Sequence, residues 1–435
     1  MHAGLIPRNR MRSNRIRVRN ERRYPMKRYL LVSVLLAGMT IGPVVSAEPE
    51  LQAGFSMETV NPPEGVFLAG YEYNRKCTGV HDDLFAKAAL FFDGKEAVAL
   101  VVIDAISIQY DTAKAIREAA ARQTTGIPLT PERVIVQATH THCAPDTIGI
   151  YGADEIHCGR DDAYMARLVE TAAGQVASAA KALRPARLAY AETECKGWVD
   201  NDSEPDILDS SVTILLVNDA EGKPLATLTH FACHPTVLES ETLAGSDWVG
   251  YFYKAMGSRP GIHLFLQGAI GCWIQPKTPE RSYSLAQRYG ENLAAKVLEA
   301  VKHPAPITGS AIRFANAVVR VPVENPKFQL MSALGLVSRP FTETVETEVA
   351  WFSVGPAQFA THFGETAPEY GFQTKERMKS KPKFVLGLGL DHLGYICPER
   401  YFGDSKIPHA NYLTSMSPGP KAGPAMMEAL QRIIP

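Results

Sequence analysis

The sequence predicts an α/β (α+β) fold in which mixed β-sheets pack with helices. Three observations support this: short runs rich in Val, Ile, Leu and Phe recur along the chain, helical periodicity alternates with several of them, and no linker-like or repetitive stretch interrupts the order after Leu51. Strands are expected over residues 97–103, 133–138, 211–217, 225–233, 262–266, 317–323 and 350–354. Helices are expected over residues 112–122, 161–182, 284–301 and 422–434. The basic stretch 375–383 contains a proline and lacks periodicity, so it reads as an exposed loop. With 435 residues and 46% hydrophobic content the chain can bury a large core, which excludes a wholly disordered protein.

Charge divides the chain at its start. The first 47 residues hold nine Arg and one Lys against one Glu, and removing them from the totals of 45 basic and 46 acidic leaves 35 against 45. The remainder is acidic, so no nucleic-acid partner is expected. Met26-Lys27-Arg28, the apolar run 29–45 and Val45-Ser46-Ala47 before Glu48 have the form of a secretory signal peptide. Residues 1–47 are therefore read as a basic leader and signal peptide with translation starting at Met26, and residues 48–435 as one exported domain, periplasmic or secreted. Seven cysteines, an odd number with no C-x-x-C pair, define no disulfide.

Candidate chemistry gathers where strands end. The strand at 133–138 runs into Thr139-His140-Thr141-His142-Cys143-Ala144-Pro145, and residues two apart on a strand share a face, so His140 and His142 are expected to point at one spot. A second strand ends in His230-Phe231-Ala232-Cys233-His234-Pro235, where His230 and His234 share parity. Imidazole is a common zinc ligand, and strand ends are where α/β proteins place functional groups. Asp247 is expected either to orient a histidine or to cap the helix after it. Glu365, in the turn Phe363-Gly364-Glu365-Thr366, is a candidate to complete a three-ligand site with an open position for water. The run Leu386-Gly387-Leu388-Gly389-Leu390 lacks the spacing of a dinucleotide fingerprint.

Taken in order, several segments resemble the neutral/alkaline non-lysosomal ceramidase family. They are Leu68-Ala69-Gly70-Tyr71, Gly79-Val80-His81-Asp82-Asp83-Leu84-Phe85-Ala86-Lys87-Ala88, Ala138-Thr139-His140-Thr141-His142, Ala232-Cys233-His234-Pro235-Thr236, Ser246-Asp247, Gly364-Glu365 and Gly394-Tyr395-Ile396. The resemblance implies a zinc amidase that cleaves the N-acyl bond of ceramide or a related lipid, with zinc ligands His140, His234, Glu365 and Tyr395. It also implies that His142 orients substrate or acts as acid/base. A small-molecule or lipid substrate and peripheral membrane contact follow, and the oligomeric state is not read.

The pattern departs from the family at two places on the substrate side. After the Gln267-Gly268 turn Cys272 stands where an aspartate is usual, and Asn201-Asp202 stands in place of an Asn-Arg pair. Asp202 and Gln267 are accordingly expected to face the substrate, Asp202 altering which substrates are tolerated. Cys272 is weighed as a nucleophile against a small buried core residue. A zinc esterase or lactonase on the same scaffold, and a zinc-containing binding protein without turnover, remain alternatives.

Overall fold

The computed structural model describes residues 50–435. The leader and signal-peptide reading of residues 1–47 lies outside the described residues.

Eight strands form the path of the main sheet, in the order Ile262–Gln267, Pro224–Phe231, Ser211–Asp219, Arg184–Glu194, Gln52–Thr59, Phe85–Phe92, Ala97–Ile103, Val134–Ala138. Both outermost pairs are parallel and the pairs between them are antiparallel. Successive side chains on a strand point to opposite faces, and the strand Ala97–Ile103 divides accordingly. Ala97, Ala99, Val101 and Ile103 pack with helices α1 (Tyr110–Gln123) and α2 (Asp162–Lys181), while Val98, Leu100 and Val102 face the other way. On the far strands, Ile214, Leu216 and Phe265 take the helical side, against α3 (Trp248–Met256) and α4 (Tyr283–Ala300).

The opposite face of the main sheet meets a second sheet, ordered Ile312–Pro322, Thr344–Val354, Ala357–Thr361, Lys383–Leu386. Its register sets Phe352 opposite Phe359 and Phe359 opposite Phe384, and the three rings stack with centroids 4.5 Å apart at each step. They pack with Leu100, Ile135, Leu215, Leu228 and Leu264 of the main sheet. The outer face of the second sheet, with Val345, Val349 and Trp351, is covered by apolar residues of α5 (Pro326–Ala333), α6 (Pro368–Arg377), α7 (Ala410–Ser415) and α8 (Ala422–Ile433). The result is four layers, helix, sheet, sheet and helix, in keeping with the α/β (α+β) class and its mixed sheets.

The main sheet curls so that its first and last strands approach each other. Gln137, on one edge strand, donates through Nε2 to Gln267 O of the other at 2.7 Å and to Gly387 O at 2.8 Å. Segment 387–390 lies between the two edges, taking Gly387 N–H to Gln267 O and Leu390 N–H to Val136 O. Edge strands left open are templates for unwanted pairing, and here each is occupied from within. A Cβ on Gly387 would lie 1.9 Å from Gly268 O, so the close approach requires glycine at that point of the Gly-Leu run.

Two sequence readings need correction. The basic stretch 375–383 is not one exposed loop: α6 runs to Arg377, the strand Lys383–Leu386 begins at its other end, and Lys375 is half-buried against Asp209 at 2.5 Å. Nor do His230 and His234 act as a pair. His230 sits within its strand, buried, and donates from Nε2 to Val385 O, whereas His234 lies beyond the strand's end.

His230 and His362 are both buried as neutral imidazoles. Burial pushes His230 down to about 4 and His362 down to about 3. In the unfolded chain each titrates near 6.5, so the unfolded state binds more protons below that value. Their contribution to stability is therefore full above about pH 6.5 and is withdrawn as the pH falls toward the folded values. The unfolding midpoint of metal-free protein should fall between pH 7 and 4.5. His362→Gln, which keeps an amide near Thr374 but cannot take up the proton, should flatten that fall; an unchanged profile in this variant would contradict the assignment.

Candidate functional site

His140 and His142 do meet, but not by strand alternation. The strand ends at Ala138, and His140 turns into the left-handed region with φ 70°, a conformation that costs a non-glycine residue of order 1–2 kcal/mol. Its backbone N–H bonds Ala105 O at 2.9 Å, and Thr139 N–H bonds Ile103 O at 3.0 Å, which hold the turn in place. His234 is placed in a similar way, its N–H on Ile274 O at 3.0 Å and its carbonyl accepting the Trp248 indole N–H at 2.9 Å.

Each of the three rings is oriented by a backbone carbonyl. Nδ1 of His140 donates to Ile106 O at 2.6 Å, Nδ1 of His142 to Gly70 O at 3.0 Å, and Nδ1 of His234 to Ile274 O at 2.7 Å. A carbonyl can only accept, so all three hydrogens sit on Nδ1 and all three Nε2 lone pairs are left facing inward. Gly70, at φ 111°, lies so close to His142 that a Cβ would fall 2.5 Å from the ring.

The inward atoms converge. One ligand-capable nitrogen from each of His140, His142 and His234 lies within 4.8 Å of the others, with His140 Nε2 and His142 Nε2 3.2 Å apart. Glu365 Oε2 is 3.0 Å from His234 Nε2 and 3.4 Å from His140 Nε2. Lone pairs crowded together in a buried place repel unless a cation lies among them, so the donor set fits a metal ion. A proton is the substitute when no metal is bound. Burial pushes the Glu365 carboxyl up, but the close approach of His140, His234 and His392 outweighs it and holds the group well below the usual carboxylate range. Burial first, then the neighbouring His140 and His234, keep the His142 imidazole well below its ordinary value and so neutral.

Tyr395 reaches the site through a short parallel bridge in which Glu365 and Tyr395 are direct partners. Its hydroxyl accepts the Trp273 indole N–H at 3.0 Å. Burial, then the charge of Glu365, hold the phenol well above its ordinary value. Trp273 in turn packs on His409, with ring centres 4.2 Å apart, and on Tyr412 at 5.3 Å. These aromatic rings stand beside Tyr395. Asp202 lies exposed next to them, its N–H on Trp273 O at 3.3 Å. Burial, helped by the neighbouring Asp200 carboxylate, leaves its carboxyl above the ordinary value.

Gln267 has other work than expected, and Asp247 and Cys272 each take the structural one of their two expected roles. Gln267 does not face a substrate: its amide is wholly engaged, donating to Thr139 O at 3.0 Å and Cys233 O at 2.9 Å and accepting from Cys233 N–H and Gly268 N–H. Asp247 orients no histidine directly. Its carboxylate caps α3 and accepts from Leu238 N–H at 2.8 Å, and burial pushes it up to about 7. Cys272 is a core residue, 1% exposed in the apolar cluster of the second sheet and C-terminal helices, and burial pushes its thiol up to about 12. A protonated, enclosed thiol is a poor nucleophile.

Two residues at the site carried no sequence signal. His392, alone among Gly, Leu and Asp, places Nε2 3.3 Å from Glu365 Oε1. Arg75, buried, donates to Ala69 O, to His142 O at 2.7 Å and to Glu241 O at 2.7 Å, and so fixes the segment that carries His142.

Gln267 thus ties the ends of both histidine-bearing strands together. Gln267→Leu should strand four backbone groups and destabilise the protein by at least ~2 kcal/mol, since each buried unpaired group costs about 1–3 kcal/mol. A lower denaturant midpoint at unchanged slope, together with reduced metal content, is the expected result.

Comparison with known proteins agrees with this architecture. Residues 56–258 match the family described as neutral/alkaline non-lysosomal ceramidase, N-terminal. The crystal structure of neutral ceramidase from Pseudomonas aeruginosa is similar in fold, with a TM-score of 0.75 at 17% identity over 89% of this chain and 74% of that one. A structure described as ceramidase complexed with C2 is similar with a TM-score of 0.72 at 16% identity, over 88% and 75%. No curated protein matches the sequence significantly. Residues 56–258 thus resemble the N-terminal part of the neutral/alkaline non-lysosomal ceramidase family, and the chain shares the fold of the solved ceramidases along most of its length.

Proposed function

We propose that this chain is an exported zinc-dependent hydrolase that cleaves the amide bond of an N-acylated lipid, ceramide or a close relative. The observation that carries the proposal is the convergence of three Nε2 lone pairs and one carboxylate oxygen on a buried point, each imidazole oriented by a backbone carbonyl. A set rich in imidazole suits zinc, whereas magnesium and calcium favour oxygen ligands. His140, His234 and Glu365 would hold the ion, with Tyr395 beside them. Bound there, zinc would polarise the acyl carbonyl and make a water molecule acidic enough to ionise near neutrality.

The chain's own groups would handle the protons. His142 is neutral, its Nδ1–H is committed to Gly70, and its Nε2 is free to accept a proton from the attacking water and return it to the departing nitrogen. Tyr395 keeps its phenolic hydrogen and accepts from Trp273, so its O–H is available to donate to an oxygen that gains negative charge. Asp202, Trp273, His409 and Tyr412 form a rim suited to the polar part of a substrate. Exposed Tyr73 and Tyr412 support peripheral contact with a lipid surface. Among the described residues no helix is long and apolar enough to cross a membrane. Export rests on the leader sequence.

The same groups would serve an ester or a lactone, so the test is a substrate panel. Purified protein should contain about one equivalent of zinc, and His140→Ala should lose it. Hydrolysis of N-acyl substrates should stop on chelation and return with zinc, and removing a general acid/base in His142→Ala should lower kcat by roughly 10²–10⁴-fold. Cys272→Ser should retain turnover. Zinc-loaded protein that cleaves esters but no amide would shift the reading to an esterase; zinc-loaded protein that cleaves neither would leave a binding protein.

A further inference from the structure

The two oxygens of Glu365 face different partners. Oε2 meets His234 Nε2 at 3.0 Å and His140 Nε2 at 3.4 Å, while Oε1 lies 3.3 Å from His392 Nε2. A carboxylate only accepts, so that nitrogen of His392 carries the hydrogen. His392 is outside the group of nitrogens that close to within 4.8 Å, and its ring centre is 6.2 Å from that of His140. It serves the carboxylate, not the convergence point.

The loop that presents His392 is fixed from many sides. Asp391, fully buried, takes Arg339 Nη2 on both oxygens at 2.7 and 2.8 Å, the Thr347 hydroxyl at 2.6 Å, and the N–H groups of Tyr110 at 3.0 Å and His392 at 2.7 Å. Leu388 and Leu390 hold left-handed backbone at φ 55° and 68°, and Leu390 and Leu393 bond Val136 O and Phe363 O. A mobile histidine would need no such mounting. This one has its backbone, and so the origin of its ring, set by a buried ion pair.

We propose that His392 is a positioning residue that holds Glu365 by Oε1, so that the carboxylate presents Oε2 alone to a cation bound with His140 and His234. A carboxylate free to turn can chelate with both oxygens, which adds a ligand and fills the position an open site reserves for water. An N–H on the far oxygen prevents this and strengthens binding through the near one. The inference rests on the metal reading above.

The test compares wild type with His392→Ala and His392→Gln by chelator competition for zinc and by the visible absorption of the cobalt(II)-substituted proteins. His392→Ala should weaken zinc binding roughly 10–100-fold, the usual effect of losing such a partner, and should lower the cobalt absorption intensity as the coordination number rises. His392→Gln, whose amide can reach the same oxygen, should restore both in large part. Thermal unfolding of the metal-free forms separates these effects from a general loss of structure, and His392→Leu, which fills the space without an N–H, makes the same comparison if alanine leaves an unstable void. Unchanged zinc affinity and cobalt spectrum in folded His392→Ala or His392→Leu would overturn this inference alone. Wild type that binds no metal would overturn the metal reading and this inference with it.

Discussion

Gln267, at the end of one edge strand, reaches across to Thr139 at the end of the other while also clasping Cys233 on both its N–H and its carbonyl. Three separate stretches of chain are joined by one buried amide: the segments leading to His140 and His234 and the turn leading to Ile274. Gln137 reinforces the junction from the opposite edge. The main sheet would otherwise be an open ribbon whose first and last strands have no reason to meet. Once they meet, the loops at their carboxyl ends, the usual location for function in α/β proteins, share one small volume.

Within that volume the electrostatics follow from hydrogen bonding to the main chain. Ile106, Gly70 and Ile274 contribute nothing but carbonyl oxygens, yet by taking the Nδ1 hydrogens they decide which face of each imidazole is electron-rich. Glu365 comes from the second sheet's side of the fold and Tyr395 is brought beside it by a two-residue parallel bridge. The site is assembled from both sheets and is held by backbone as much as by side chains.

Much of this was legible in the sequence, for physical reasons. The strand at Ala97–Ile103 is apolar at every position because it is buried on both faces, and α2 shows its period together with its Asp161 cap. The strand Gln52–Thr59, inside the main sheet, is mixed in character and half-exposed, and its residue types do not mark it as a strand. His140, His142 and His234 stood out as histidines at strand ends, but the parity argument gave a wrong cause for their meeting: a left-handed turn, invisible in residue type, does the work. Gln267 and Asp247 illustrate the limit from the other side. A polar residue near a site looks functional in sequence, and only its partners reveal that its hydrogen bonds go to backbone. His392 is the reverse case, a residue whose surroundings in sequence are glycine and leucine and whose partner lies 27 positions away.

The non-glycine residues held at positive φ include His140, Cys272, Trp273, Leu388, Leu390 and His409, all on the segments that frame the site. Each such residue carries backbone strain of order 1–3 kcal/mol that the rest of the fold must outweigh. Replacement by glycine would relieve strain at any of them while deleting a ring of the histidine cluster, an aromatic wall or a packed leucine. Selection for thermal robustness alone would therefore erode this protein from its centre outward. Bulky side chains placed in such costly backbone hold the fold below its attainable stability for the sake of one cluster of atoms.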